Sequence, residues 1–201
     1  MKYIITILIF FFSEINYAQS GKLKLNLNEQ VTTATLVFEG KVIGDSTFWN
    51  TNKTRIYTLR YVLVSKEFKG AFKSDTVVIL RRESYSKVGD EVQMVKDGDP
   101  LILNKDIEGV FFCKPIDSRG YYNEIKNDDV YELNIPHNCD GFIQIICDKQ
   151  LALIYHTAHN FCDNTVFDDV GKQLFQPIEK IVGHASKRLR PDCVEQSKPI
   201  K

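Results

Sequence analysis

The stretch Thr35–Gly70, TLVFEGKVIGDSTFWNTNKTRIYTLRYVLVSKEFKG, holds two alternating runs on either side of a polar turn. Successive side chains of a strand point to opposite faces. In TLVFEGKVIG this puts Leu36, Phe38, Gly40 and Val42 on one face and Val37, Glu39, Lys41 and Ile43 on the other. Gly40 in mid-strand marks a bulge or a sharp bend. In RIYTLRYVLVSKEFKG, Tyr57, Leu59, Tyr61 and Leu63 oppose Ile56, Val62 and Val64, and aromatic and β-branched enrichment predicts a long second strand. The only tryptophan, Trp49, falls in the polar loop between them. Its packing reading is a plug at the end of the β structure, with Phe48, Tyr57 and Tyr61 as partners and the indole N–H on a loop carbonyl. Its functional reading is an exposed binding aromatic. The adjoining NTNKT supplies turn residues, and Asn52-Lys53-Thr54 fits a glycosylation sequon.

Outward from this pair, DTVVILRRE reads as a third strand, EVQMV as a weak fourth and IEGVFFCKP as a fifth ended by Pro115. Short strands at regular spacing predict a small closed or nearly closed β structure. From Ile116 to Asp140 the chain turns polar and reads as an ordered loop or a domain edge. GFIQIICDKQLALIYHTA then predicts a β-hairpin turning near Asp148 to Gln150. Beyond Asp168 and Asp169, both suitable caps, Val170, Leu174, Phe175, Ile178, Ile181, Val182 and Ala185 recur at helical spacing. Pro177 lies too deep for a first-turn proline, so that element kinks there or begins there. The fold class expected is mainly β (α+β), a five-stranded barrel followed by a hairpin and a C-terminal amphipathic helix.

The first residues, MKYIITILIFFFSEINYA, carry one lysine and an apolar run from Tyr3 to Phe12 broken only by Thr6. This is the pattern of a secretory signal peptide cleaved after Ala18. The run is about half of the ~20 residues that span a bilayer, so no membrane span is expected after cleavage. Residues 1–18 are thus read as leader, 19–115 as the β structure and 116–201 as an extension packed on it. Lys2 and Glu14 leave with the leader, one from each of the 26 basic and 26 acidic residues, so the mature charge stays balanced. Such a balance makes no field to recruit nucleic acid or anionic membrane. The basic run SKRLRP, Ser186 to Pro191, reads as a solvated helix end.

All five cysteines, Cys113, Cys139, Cys147, Cys162 and Cys193, lie in the second half of the chain. A secreted destination makes disulfides the expectation, one bridge or two, and the odd count leaves at least one thiol free or paired to another molecule. If Phe142 to Cys147 pairs with Leu151 to Thr157 about a turn near Gln150, Cys139 and Cys162 face each other at the open end of the hairpin. Directly opposed Cα atoms are ~4.5 to 5.5 Å apart, within disulfide reach. A Cys139–Cys162 bridge follows as an expectation.

LVFEGKVIG, the aromatic loop with KTRIYT, VSKEFKG and EGVFF together resemble the netrin-like or tissue-inhibitor-of-metalloproteinases-like domain of bacterial secreted proteins. The resemblance covers about Val31 to Pro115. It implies a five-stranded barrel of the OB type, in which mid-strand glycines and long curved strands let a short sheet close on itself. Inhibitors of that fold begin their mature chain with a cysteine that chelates the catalytic zinc. Here no cysteine precedes Cys113, so that mechanism lacks its ligand.

For chemistry, YHTAHNFCDN gathers His156, His159, Cys162 and Asp163, which are zinc-capable types. Three apart on a continuing strand, the two histidines point to opposite faces, and only a turn after Thr157 brings them together. An oxidised Cys162 could not ligate. Cysteine catalysis would need Cys162 as a thiolate beside His159 with an orienting acid. No GxSxG elbow and no phosphate-cradling glycine loop occurs. Asp168 with Asp169 and Asp128 with Asp129 read as caps and loop residues rather than acid and base. The expectation is a secreted or periplasmic, non-enzymatic binding module for a protein or glycan ligand, without cofactor or nucleic acid. The alternative is a zinc-binding protein or zinc-dependent hydrolase centred on His156 and His159.

Overall fold

A computed structural model describes residues 26–50, 53, 55–88, 91–94, 103–116, 130–134, 141–146, 151–153 and 166–190. The two alternating runs form β1 (Leu36–Trp49) and β2 (Arg55–Lys69), an antiparallel pair in register from Val37 against Lys69 to Trp49 against Ile56. The pair shifts register at Val37/Phe38, at Glu39/Gly40 and at Val42/Gly44; the residue without a direct partner is Phe68 and then Ser65 of β2, and Ile43 of β1, so the irregularity beside Gly40 lies in the partner strand. The last shift reverses the alternation of β1. Ring-facing residues are even-numbered up to Val42, and beyond Gly44 the same side carries Asp45, Thr47 and Trp49.

β3 (Thr76–Val88) pairs antiparallel with β2, and β5 (Glu108–Pro115) pairs antiparallel with the other edge of β1. β6 (Val130–Leu133) runs antiparallel to β5 and parallel to β3, which closes a ring in the order β1, β2, β3, β6, β5. Two expectations are corrected here. EVQMV, as β4 (Glu91–Met94), pairs among the described residues with the outer part of β3 alone and stands off the ring. The fifth ring strand is VYEL, from the segment read as a loop or edge, so the ring runs past the boundary placed at Pro115. VYEL is silent in the sequence because four residues, Val130 and Leu133 buried around two half-buried ones, carry no period-2 signal.

β7 (Phe142–Ile146) adds to β5, β8 (Leu151–Leu153) pairs with β7, and β9 (Val166–Phe167) with β8. The predicted hairpin is therefore present, but in another register. A Cys139–Cys162 bridge needs Ile146 opposite Tyr155, and Ile146 lies opposite Leu151. The turn is centred two residues earlier than the expected one, and the pairing on which that bridge depends is not the one formed. Cys139 and Cys162 themselves lie outside the described residues.

Two apolar layers share β1 and β5. Inside the ring lie Leu36, Phe38, Val42, Val62, Val64, Ile79, Phe111 and Cys113, with Phe38 stacked on Phe111 at 5.3 Å between ring centroids. On the other side, Val37, Phe68, Val110, Phe112, Ile143 and Ile145 are roofed by helices. The first, α1 (Leu27–Thr33), adds an element that the strand pattern does not announce. Asn26 caps it by accepting the Glu29 N–H at 3.2 Å, and Asn26 three residues before Glu29 is the sequence signal of such a start.

The expected C-terminal helix begins as a π-helical segment, Val170–Phe175, and continues as α2 (Gln176–Val182). Pro177 explains the wide turn. It has no N–H, and in a regular α-helix its ring would strike the carbonyl four residues back. Asp169 caps the segment by accepting the Lys172 N–H at 2.9 Å. β10 (Lys187–Arg188) then straps back along β2. No helix among the described residues is long and apolar enough to cross a membrane.

Candidate binding face

Beyond the ring, β1, β2 and β3 continue together as an arm. Cross-strand partners share a face, so the register sorts the arm's side chains directly. The side that continues the ring interior begins with the buried row Val42, Val62 and Val77. Next come Asp45, Arg60 and Ile79, then Thr47, Thr58 and Arg81, then Trp49 and Ile56. A hydrophobic interior thus grades outward into a charged row, a hydroxyl row and an aromatic row.

The rows are internally bonded. Arg60 Nη1 lies 3.1 Å from Asp45 Oδ2, with the Arg60 side chain 16% exposed and Asp45 45%. The hydroxyls of Thr47 and Thr58 are 3.1 Å apart. Thr58 is buried and Thr47 is exposed, so the face is closed toward β2 and open toward β1. At the foot of the arm Lys41 bridges Asp106 at 3.2 Å and Glu108 at 3.6 Å. The hydrogen bond to Asp106 is the main reason its ammonium titrates above the usual lysine range.

The opposite side of the arm anchors it. Phe48 lies over Tyr57 at 5.8 Å between centroids, in a cluster with Leu80 and Val130. Trp49 is therefore not in a loop. It is the last residue of β1, half-buried, opposite Ile56 and on the face away from Phe48 and Tyr57. Tyr57, one of the partners read for it from the sequence, packs against its neighbour Phe48 instead. Asp45, Arg60, Thr47, Thr58 and Arg81 escape a sequence reading that ends the first run at Gly44, before the alternation resumes.

This face offers a ring surface, two hydroxyls and a carboxylate–guanidinium pair, groups that suit hydrogen bonding and stacking. His156, His159, Cys162 and Asp163 lie outside the described residues. Among the described residues, no group of three or more His, Cys, Asp or Glu side chains is placed to hold a metal ion. The basic run keeps its cations exposed, but it forms a short strand along β2 rather than a helix end. Lys187 reaches Glu67 at 3.5 Å, Arg190 pairs with Asp75, and the Leu189 N–H donates to the Ser65 carbonyl at 2.8 Å. No family model matches the chain, and no curated protein is significantly similar to it.

Proposed function

We propose that this chain is a secreted or periplasmic, non-enzymatic binding module built on an OB-type barrel, whose protein or glycan ligand meets the face ending in Trp49. The strand circuit supports the barrel reading: five strands in a closed order, antiparallel except where β3 meets β6. In OB barrels the face of strands 2 and 3 and the loop joining strands 1 and 2 commonly take the ligand. The observation that carries the reading is the row order on that face, in which charge, hydroxyl and aromatic groups follow the ring interior and end beside that loop. Stacking on a tryptophan with hydrogen bonds from hydroxyls and a guanidinium is the chemistry by which polar ligands with apolar patches are held.

The single tryptophan makes the test direct. Titration of the mature protein with glycans and with fractions of the native envelope should shift its fluorescence, and Trp49→Phe with Thr47→Val should abolish binding while the β spectrum persists. Binding unaffected by both changes would move the site elsewhere. Stoichiometric zinc in untagged protein, lost on His156→Ala or His159→Ala, would replace this reading with the zinc-centred one.

A further inference from the structure

At the end of the ring away from the arm, β3 begins at Thr76 opposite Leu63, while β2 runs on to Lys69. Two segments outside the ring strands lie there. The first is the turn of residues 70–75, which leaves β2 through Gly70 at a φ of +102°. Its residues are exposed except Phe72, which is half-buried and meets Phe38 edge-on at 5.7 Å between centroids. Phe38 stacks on Phe111, and Phe111 lies 4.6 Å from Phe142, so Phe72 is the outermost ring of an aromatic column through the interior. Beside it is a small cavity between the turn and Leu36, Thr76, Val77 and Tyr131. The second segment is the strap that begins with β10. Leu189 packs against the ring interior, and the N–H groups of Leu189 and Arg190 donate to the Ser65 carbonyl at 2.8 and 3.1 Å. Turn and strap meet where Arg190 pairs with Asp75, whose carbonyl accepts the Val64 N–H at 2.8 Å.

We propose that residues 70–75 are a lid over this end of the ring, latched by Arg190 of the strap, and that the lid opens while the rest of the fold stays intact. Segments that open locally are those with few buried apolar contacts and exposed polar ties. This turn half-buries one side chain, Phe72. Its tie to the strap is an ion pair whose side chains are 44% and 53% exposed, a kind that contributes little and weakens in salt. The ring beneath is held by strand ladders instead, with Leu36, Phe38 and Val77 buried. Opening withdraws Phe72 from the end of the aromatic column and uncovers Phe38 and the cavity beside Leu36 and Val77. The ionic strength at the surface thus sets how often the apolar interior is reached from this end. The proposal is independent of the ligand reading, since the face ending in Trp49 lies on the arm, beyond the other end of the ring.

Hydrogen exchange of the mature chain, followed amide by amide in low urea, tests it. The Val64 amide, bonded to the lid, should exchange through an opening with a weaker urea dependence than the Phe112 amide, which donates to the Gly141 carbonyl at 2.8 Å. Arg190→Gln and Asp75→Asn should each speed exchange at Val64 about two- to fivefold, with the double variant no faster than either single one. The Ala34 amide, which closes α1 on the Gln30 carbonyl at 3.1 Å, opens without disturbing the latch and should keep its rate. Salt at ~1 M should bring the wild type to the rate of the variants and leave the double variant unchanged. A Val64 amide with the same urea dependence as Phe112 would show that this end opens only when the whole protein unfolds, which overturns the lid. No effect of either substitution, or effects that add in the double variant, overturns the latch. Should Arg190→Gln fold poorly by circular dichroism, Asp75→Asn and the salt dependence of the wild type decide by the same readings.

Discussion

Two buried side chains show how single residues set the conditions under which this fold holds. Cys113 is fully buried inside the ring, and burial pushes its thiol well above the ordinary range because the thiolate cannot be solvated there. The folded-state value is raised, so the stabilisation is complete below the unfolded-state thiol pKa of about 8.5 and is lost as pH rises above it. In that window the unfolded chain has released a proton that the folded chain keeps. Stability should therefore fall by up to about 1.4 kcal/mol per pH unit more steeply in the wild type than in Cys113→Ala, read from urea titrations across the alkaline range. Cys113 should likewise resist alkylation until the protein unfolds. Glu39 is the second case. It lies 3.8 Å from Lys66 beneath the helices, both side chains under 10% exposed, and the Lys66 ammonium sits 3.9 Å from the Phe175 ring centroid. Glu39→Gln removes the anion and leaves a buried cation, which should cost about 3–5 kcal/mol in urea unfolding. Replacing both partners with leucine should recover most of that, because what costs is the uncompensated charge rather than the missing pair.

The elements around these residues differ in how openly the sequence announces them. β2 and β3 are legible because each buries mainly one face and so alternates, whereas β5 and the start of β1, buried on both faces, show as nearly continuous apolar runs. The C-terminal helix is legible from its spacing, and its π-helical start follows from Pro177. α1 is legible only in its cap, Asn26 three residues before Glu29, since a seven-residue helix is too short for a periodic stripe and is held by contacts distant in sequence. Foremost among these is Lys69, at the end of β2, whose ammonium donates to the carbonyls of Val31 at 2.8 Å, Thr32 at 3.0 Å and Ala34 at 2.6 Å. A cation closing the carbonyl end of a helix satisfies its orphaned acceptors and meets the negative end of its dipole. Lys69→Met keeps the apolar stem and removes only this function. It should cost about 1–2 kcal/mol and should raise hydrogen exchange at the α1 amides more than elsewhere. The candidate binding face is half legible, through Trp49 alone. Its remaining members depend on the register shift at Val42 and Gly44, which reverses the alternation at a point marked in the sequence by Gly44 alone.

At the scale of the whole molecule, the decisive step is bringing β1, β5 and β7 close enough to close the ring and still support the hairpin beside it. Gly40 of β1 lies directly opposite Gly109 of β5, and Gly109 is also paired with Gln144 of β7. A Cβ at Gly40 would stand 2.8 Å from the Leu63 carbonyl oxygen and 2.9 Å from Val62 Cγ1. A Cβ at Gly109 would run into the Ile143 carbonyl oxygen and the Phe142 ring. Backbone atoms are the obstacle in both places, and backbone cannot swing aside as a side-chain tip can. The absence of side chains here is therefore a condition of closure. Elsewhere in a strand, alanine is normally better than glycine, because the unfolded glycine has more freedom to lose. Gly109→Ala should reverse that preference and destabilise by about 1–3 kcal/mol or more, since the added methyl must force β5 and β7 away from each other. Gly44→Ala supplies the contrast: nothing lies within 4 Å of its Cβ position, so its effect should stay within about 0.5 kcal/mol. Urea midpoints at constant m-value measure both. If Gly109→Ala proved as mild as Gly44→Ala, the strands would not be packed as closely as ring closure requires.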